Sequence, residues 1–366
     1  MNLNDSASFT QTDPQHMLAQ IDGLPDQLQA AWELGQQHPL PAWKDIDRVL
    51  VAGMGGSAIG ADLLAAYTAP ACPVPLVVHR DYDLPAWANG PHTLVIAASH
   101  SGNTEETLSS FDRAARNGCL RLAITTGGKL GEAATQAGTP LWTFVHQGQP
   151  RAAVGFSFGL LLAAFTRLGL IADPSQELAE ALAAMRAQQS SLLADVPVAR
   201  NPAKRMAGQL FGRWVMVMGS GILAPVARRW KGQVNELAKA WAQFDYLPEA
   251  DHNTIAGIGC PEELLTKMMA LFLRAPSDHP RNRLRADLTR QIFMMEGLNT
   301  DFYDARGDSP LAHLWTALHF GDYQAYYLAM AYGADPTPIP AISDLKNEMR
   351  EQGNWMSEKI LPLKCK

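Results

Sequence analysis

Short apolar runs alternate with helical patterns along most of the chain. Val49 to Ala52 is an apolar run. It is followed by a glycine-rich turn, Gly53-Met-Gly-Gly-Ser-Ala-Ile-Gly60, and then by a helical pattern reaching Tyr67. The same order recurs: Pro75 to His79, Thr93 to Ala98 and Leu120 to Thr125 read as strands, with helical stretches such as Glu105 to Asn117 between them. Strands alternating with helices at this spacing predict a parallel sheet covered on both faces.

Beyond Pro150 the pattern turns helical, first over Val154 to Leu168 and then over Gln176 to Leu193. The segment Pro197 to Pro202 interrupts it. A second strand, glycine turn and helix then opens at Trp214 to Met218, Gly219-Ser-Gly221 and Ile222 to Trp241. Met268 to Leu273 corresponds to Thr93 to Ala98, but it is followed by Ala275-Pro-Ser-Asp-His-Pro280, without a hydroxyl-rich turn. This predicts an internal duplication in which only the first half keeps an anion site. The expected divisions are 1–172, a helical connector at 173–200, a second unit at 201–340 and a helical extension at 341–366.

At 366 residues, 47% hydrophobic and 18% charged, the chain can bury a large core. A net charge of -6 argues against nonspecific nucleic-acid binding, which normally calls for a basic excess. Cys72, Cys119, Cys260 and Cys365 are widely spaced, with neither a CxxC pair nor a zinc-type cluster. The N-terminal stretch lacks signal-peptide character, and no apolar run is of membrane length. The expectation is a cytoplasmic protein with no membrane contact.

The candidate chemistry lies in the turns. Ser99-His-Ser-Gly-Asn-Thr104 follows a strand and precedes a helix that begins Glu105-Glu106. Hydroxyls and backbone N–H groups at a helix N-terminus suit a phosphate, whose charge the helix dipole favours. Ser99, Ser101 and Thr104 are therefore candidate phosphate ligands, joined by Gly55, Gly56 and Ser57 of the first glycine turn. Thr104 also fits a plain N-cap. The Gly53 to Gly60 turn, with Asp81 downstream, is an imperfect match to a dinucleotide fingerprint and leaves a dehydrogenase as an alternative.

Several ordered motifs together give the chain a family resemblance. Gly53 to Gly60, Ser99 to Glu106, Thr125-Thr-Gly-Gly-Lys-Leu130, Pro150-Arg-Ala152, Asn235-Glu236, His252-Asn253, Asp335-Pro-Thr-Pro338 and Leu345-Lys346 resemble the bifunctional phosphoglucose/phosphomannose isomerase family of sugar isomerase (SIS) domain proteins. His100 stands where that family commonly has Tyr, and Thr126 where Ser is usual. The resemblance implies two tandem SIS domains, each a flavodoxin-like α/β/α sandwich, with a helical C-terminal extension. It also implies interconversion of glucose 6-phosphate and mannose 6-phosphate with fructose 6-phosphate through an enediol, without metal or other cofactor.

In that scheme Glu236 is the proton-transferring base, its pKa raised by burial. His252 opens the sugar ring, Arg151 faces the enediolate, and Lys346 lies near the ring oxygen. On spacing alone, a surface Glu236 paired with Lys239 is the better fit, and it is the place of Glu236 in the family motif that reverses this. The resemblance further implies a homodimer in which the histidine of one subunit completes the site of the other. A sugar-phosphate sensor on the same fold is the non-enzymatic alternative.

Overall fold

The structure, a computed structural model, describes residues 2–359, excluding the side chains of 350 and 353–359. Cys365 and the last residues of the expected 341–366 extension lie outside the described residues. Three helices open the chain: α1 (Phe9–Thr12), α2 (Met17–Asp22) and α3 (Leu24–Gln37). The first sheet holds β1 (Arg48–Ala52), β2 (Leu76–His79), β3 (Thr93–Ser99), β4 (Leu120–Thr125) and β5 (Leu141–Thr143) in the order β2-β1-β3-β4-β5, all parallel. Its helices are α4 (Gly55–Thr68), α5 (Glu105–Arg116), α6 (Gly128–Gln136) and α7 (Val154–Arg167). Every residue of central β3 is buried, as expected of a parallel strand with helices on both faces.

Two further helices, α8 (Ser175–Gln189) and α9 (Pro202–Leu210), lead into a second parallel sheet. It contains β6 (Trp214–Ser220), β7 (Ala242–Leu247), β8 (Met268–Arg274) and β9 (Asn299–Asp304) in the order β7-β6-β8-β9. Around and after it run α10 (Ala224–Glu236), α11 (Glu262–Leu265), α12 (Pro280–Met295), α13 (Pro310–Tyr332) and α14 (Pro340–Lys359). The second order repeats the first without a fifth strand, and both sheets are flanked by helices. The tandem α/β reading thus describes the molecule.

Helix α13 joins the layers. It is apolar on all sides, and every residue from Leu311 to Met330 is buried against α8, α9 and α10. Two contacts tie it to α10: the Arg229 guanidinium meets Asp322 at 3.1 and 2.8 Å, and the Trp230 indole donates to the Ala317 carbonyl at 2.8 Å. One apolar core runs through both halves, from Leu28 and Val51 to Trp230 and Leu318.

The helix expected from Ile222 to Trp241 is shorter. A 3-10 turn, Gly221–Leu223, precedes α10, which stops at Glu236. Lys239 then adopts φ +54°, a left-handed conformation that ends helical continuation and turns the chain into β7.

Candidate functional site

Two equivalent turns define the duplication in atomic terms. Ala97 of β3 and Phe272 of β8 occupy matching places beside the central strands, paired with Ala52 and Met218. Helix α5 begins eight residues after Ala97, at Glu105, and α12 begins eight residues after Phe272, at Pro280. Gly55 and Gly221, at the mouths of the paired glycine turns, have φ +49° and +50°. Geometry is conserved between the halves while chemistry diverges.

In the first half, the turn is held from below. Ser99 is buried; its hydroxyl bonds Thr104 Oγ1 at 2.9 Å and accepts the Gly102 N–H at 3.1 Å. The His100 carbonyl accepts Thr126 N–H and Oγ1 at 3.1 and 2.7 Å, and the Gly102 carbonyl accepts Leu130 N–H at 2.9 Å. Gly102 has φ +67°, and a Cβ there would fall 1.8 Å from the Gly127 carbonyl oxygen, so no side chain fits. The Thr125 to Leu130 motif therefore acts as the brace of this turn. Thr104 precedes α5 in extended conformation without capping it through its side chain. The first N–H groups of α5 thus lack that protein cap and lie beside Glu105 and Glu106.

The second half fills the matching turn with its own charge. Asp278 stands where the first half has Asn103, only 6% exposed, with Oδ2 accepting the Ala275 N–H at 3.1 Å. Desolvation pushes its carboxyl up to about 6, against the opposing bonds from Ala275 and Ser220. A carboxylate here repels phosphate. The loss of the hydroxyl cradle is thereby reinforced by a gained acid.

A cavity of about 590 Å³ opens above the first turn. It brings together Gly55, Gly56, Ser57, Ser101, Thr104, Arg151, Glu236 and Lys346. Ser99 is not in its wall: its hydroxyl supports the turn from beneath. His252 is not there either, being exposed on the 3-10 turn Glu249–His252. Lys346, on α14, also lines a small adjoining cleft with Ser101 and Thr104, which sets its ammonium stem at the hydroxyl end of the cavity.

Arg151 forms the floor. It belongs to a 3-10 turn, Pro150–Ala152, pressed against α4 so closely that a Cβ on Gly56 would lie 2.5 Å from the Pro150 carbonyl. Only 3% exposed, the guanidinium donates Nη2 to the carbonyls of Pro336 and Thr337 at 2.7 and 2.5 Å. Nε and Nη1 are buried without a hydrogen-bond acceptor among the described residues. The nearest carboxylate oxygen, Glu236 Oε2, is 3.6 Å from Nη1. Desolvation lowers the Arg151 pKa, partly offset by Glu236, but a guanidinium stays charged at neutral pH.

Glu236 projects from the last residue of α10 with its side chain 32% exposed. Lys239 does not pair with its carboxylate: Nζ donates instead to the Glu236 carbonyl at 2.5 Å and approaches the Pro336 carbonyl at 3.5 Å. Desolvation of that folded-back ammonium and the adjacent Arg151 charge push Lys239 down to about 8. A second pair unforeseen in the sequence is His100 with His146, whose Nε2 and Nδ1 are 3.0 Å apart. Desolvation, and then His146, pushes His100 down to about 4, so both rings are neutral at pH 7 and one donates to the other. The His100–His146 and Lys239–Pro336 contacts span 46 and 97 residues of the chain and leave no local sequence signal.

Residues 199–349 match the family described as the bacterial phospho-glucose isomerase C-terminal SIS domain. A bifunctional phosphoglucose/phosphomannose isomerase of Caldicellulosiruptor bescii is 40% identical over 339 residues, covering 92% of this chain and 99% of that one. One of the same description from Aquifex aeolicus is 32% identical over 317 residues, covering 84% and 94%. Among solved structures, a hypothetical protein from Thermus thermophilus superposes with a TM-score of 0.73 at 18% identity, covering 96% of this chain and 93% of that one. The last likeness establishes the fold. With its ordered motifs, tandem sheets and near-full-length similarity, this chain belongs to the bifunctional phosphoglucose/phosphomannose isomerase family of SIS-domain enzymes.

Proposed function

We propose that the chain interconverts glucose 6-phosphate and mannose 6-phosphate with fructose 6-phosphate by proton transfer through an enediol, using side chains alone. The observation that carries this reading is the meeting of a hydroxyl turn, a buried guanidinium with two free N–H-bearing nitrogens and a carboxylate on one cavity. Sugar-phosphate chemistry needs all three.

In the proposed reaction, the Ser57, Ser101 and Thr104 hydroxyls and the start of α5 hold the phosphate, while Ser99 keeps the turn in shape. Lys346 neutralises charge at that end. Glu236 removes the proton from C2, leaving an enediolate whose negative charge spreads over O1 and O2. Arg151 stabilises it through Nε and Nη1, donors already desolvated and not engaged by any acceptor among the described residues. Glu236 then returns the proton to C1. Glucose and mannose phosphates differ only at C2, which is trigonal in the enediol, so one base serves both.

His252 is proposed to open the ring from a second copy of the chain, since in its own chain it is exposed and outside the cavity wall. A homodimer in the cytoplasm is part of the same proposal. Among the described residues no helix is long and apolar enough to cross a membrane.

The test is coupled conversion of both aldose phosphates to fructose 6-phosphate in the presence of a chelator. Turnover of both is expected. Folded protein that binds sugar phosphate but turns over neither would favour a sensor, and turnover lost with the chelator would remove the side-chain mechanism.

A further inference from the structure

Behind the candidate site lies a second opening of about 250 Å³. The two share Gly55, Gly56, Arg151 and Glu236 in their walls, so this cleft begins where the hydroxyl-lined cavity reaches its carboxylate. Its character is different. Arg80, Arg228 and Lys231 line it, with Glu236 the lone acid among its described lining residues.

The surrounding charges do not cancel. Asp62 is shared by two guanidiniums, bonding Arg80 and meeting Arg228 Nη1 at 3.0 Å. Arg229 is spent on Asp322, and Arg151 faces Glu236. Lys231 has no hydrogen bond or ion pair among the described residues. Two positive charges therefore remain in excess: Lys231, and one of the two arginines that divide Asp62. Arg228 is held in place by stacking over the Phe244 ring, 5.0 Å from its centroid. The start of α4 adds its dipole through Gly55 and Gly56. A partly enclosed recess with uncompensated cations and a helix N-terminus is built for an anion.

We propose that this cleft is a second anion subsite, which takes the C1 phosphate of a 1,6-bisphosphorylated ketose bound across the two openings. The inference rests on the proposed function, which puts the 6-phosphate at Ser101 and Thr104 and therefore the C1 end beside Glu236. A substrate with a free C1 leaves the cleft unfilled. A ketose esterified at O1 fills it, and it cannot be isomerised, because no C1 aldehyde forms while O1 carries phosphate. Such a ligand is a dead-end inhibitor, and the cleft lets the enzyme sense the product of a kinase acting on its own ketose phosphate.

Calorimetric titration of the full chain with fructose 1,6-bisphosphate and fructose 6-phosphate tests this without requiring turnover. The bisphosphate is expected to bind about tenfold more tightly or better, the gain from one charge-assisted contact. Lys231→Gln should erase most of that difference while leaving fructose 6-phosphate affinity and turnover within twofold, and Lys231→Arg should restore it. Equal or weaker binding of the bisphosphate by the native chain would overturn the proposal, as would an undiminished preference in a folded Lys231→Gln variant. A protein that prefers the bisphosphate yet isomerises nothing would instead keep the subsite and remove the isomerase reading.

Discussion

Arg151 Nη1 stands 3.6 Å from Glu236 Oε2, too far for a hydrogen bond and close enough for each to feel the other's charge. The pair is thus poised rather than closed, with space for a substrate oxygen to accept from the guanidinium.

Glu236→Gln is nearly isosteric and removes the proton acceptor. We expect kcat to fall by about 10²- to 10⁴-fold, the usual contribution of a positioned acid–base group, with KM within a few-fold. Steady-state kinetics on both aldose phosphates measures this, and near-native kcat would take Glu236 out of the reaction.

Ser99 and Ser101 should separate cleanly. Ser101 lines the cavity, so Ser101→Ala should raise KM by about tenfold or more, the cost of one hydrogen bond to a charged group, with little change in melting temperature. Ser99 bonds Thr104 and Gly102, so Ser99→Ala should cost about 1 kcal/mol of stability or more, read by denaturant unfolding.

Acid should weaken the fold through His100. Its native pKa of about 4 lies below the ordinary 6.5, so between those values the unfolded chain binds more protons. The contribution is complete above pH 6.5 and is lost as pH falls towards 4. Buried His319, also pushed down to about 4 by desolvation, acts in the same direction. His100→Gln should flatten the stability curve in this window, leaving the share of His319. An unchanged slope would mean that His100 does not titrate in this way.

Asp278 should act with the opposite sign. Its native pKa, raised to about 6 from 3.8, means that the folded chain holds the extra proton between these values. Its contribution is complete below pH 3.8 and is lost as pH rises through 6. The stability of Asp278→Asn relative to the native chain should therefore increase from pH 4 to pH 8. A difference constant with pH would rule out titration of Asp278.

Much of this arrangement was legible in the sequence because it is local. A buried central strand such as β3 is apolar through its interior, Leu94 to Ala98, and a turn that approaches Gly127 as closely as Gly102 does must be glycine. The strands without a clear signature, β5, β7 and β9, are all sheet edges. Their half-exposed positions, Gln243 and Asp245 in β7 or Asn299 and Asp301 in β9, break the apolar run that marks a strand. The overlong helix before β7 has the same origin, since nothing in Lys239 announces a positive φ. Within the site, the turns were readable. The His100–His146 pair and the approach of Lys239 to Pro336 depend on how distant segments meet.

The contact of Arg151 with Pro336 and Thr337 ties the position of its guanidinium to the C-terminal helix. The guanidinium that faces the cavity is aimed by two carbonyls of the strap between α13 and α14, while the helix beyond that strap carries Lys346 to the other end of the cavity. Shifting α14 would move the wall at the phosphate end and re-aim the arginine at the other. If the proposed function holds, both ends of the substrate rest on one connected segment, and a change of strap length should alter affinity and turnover together.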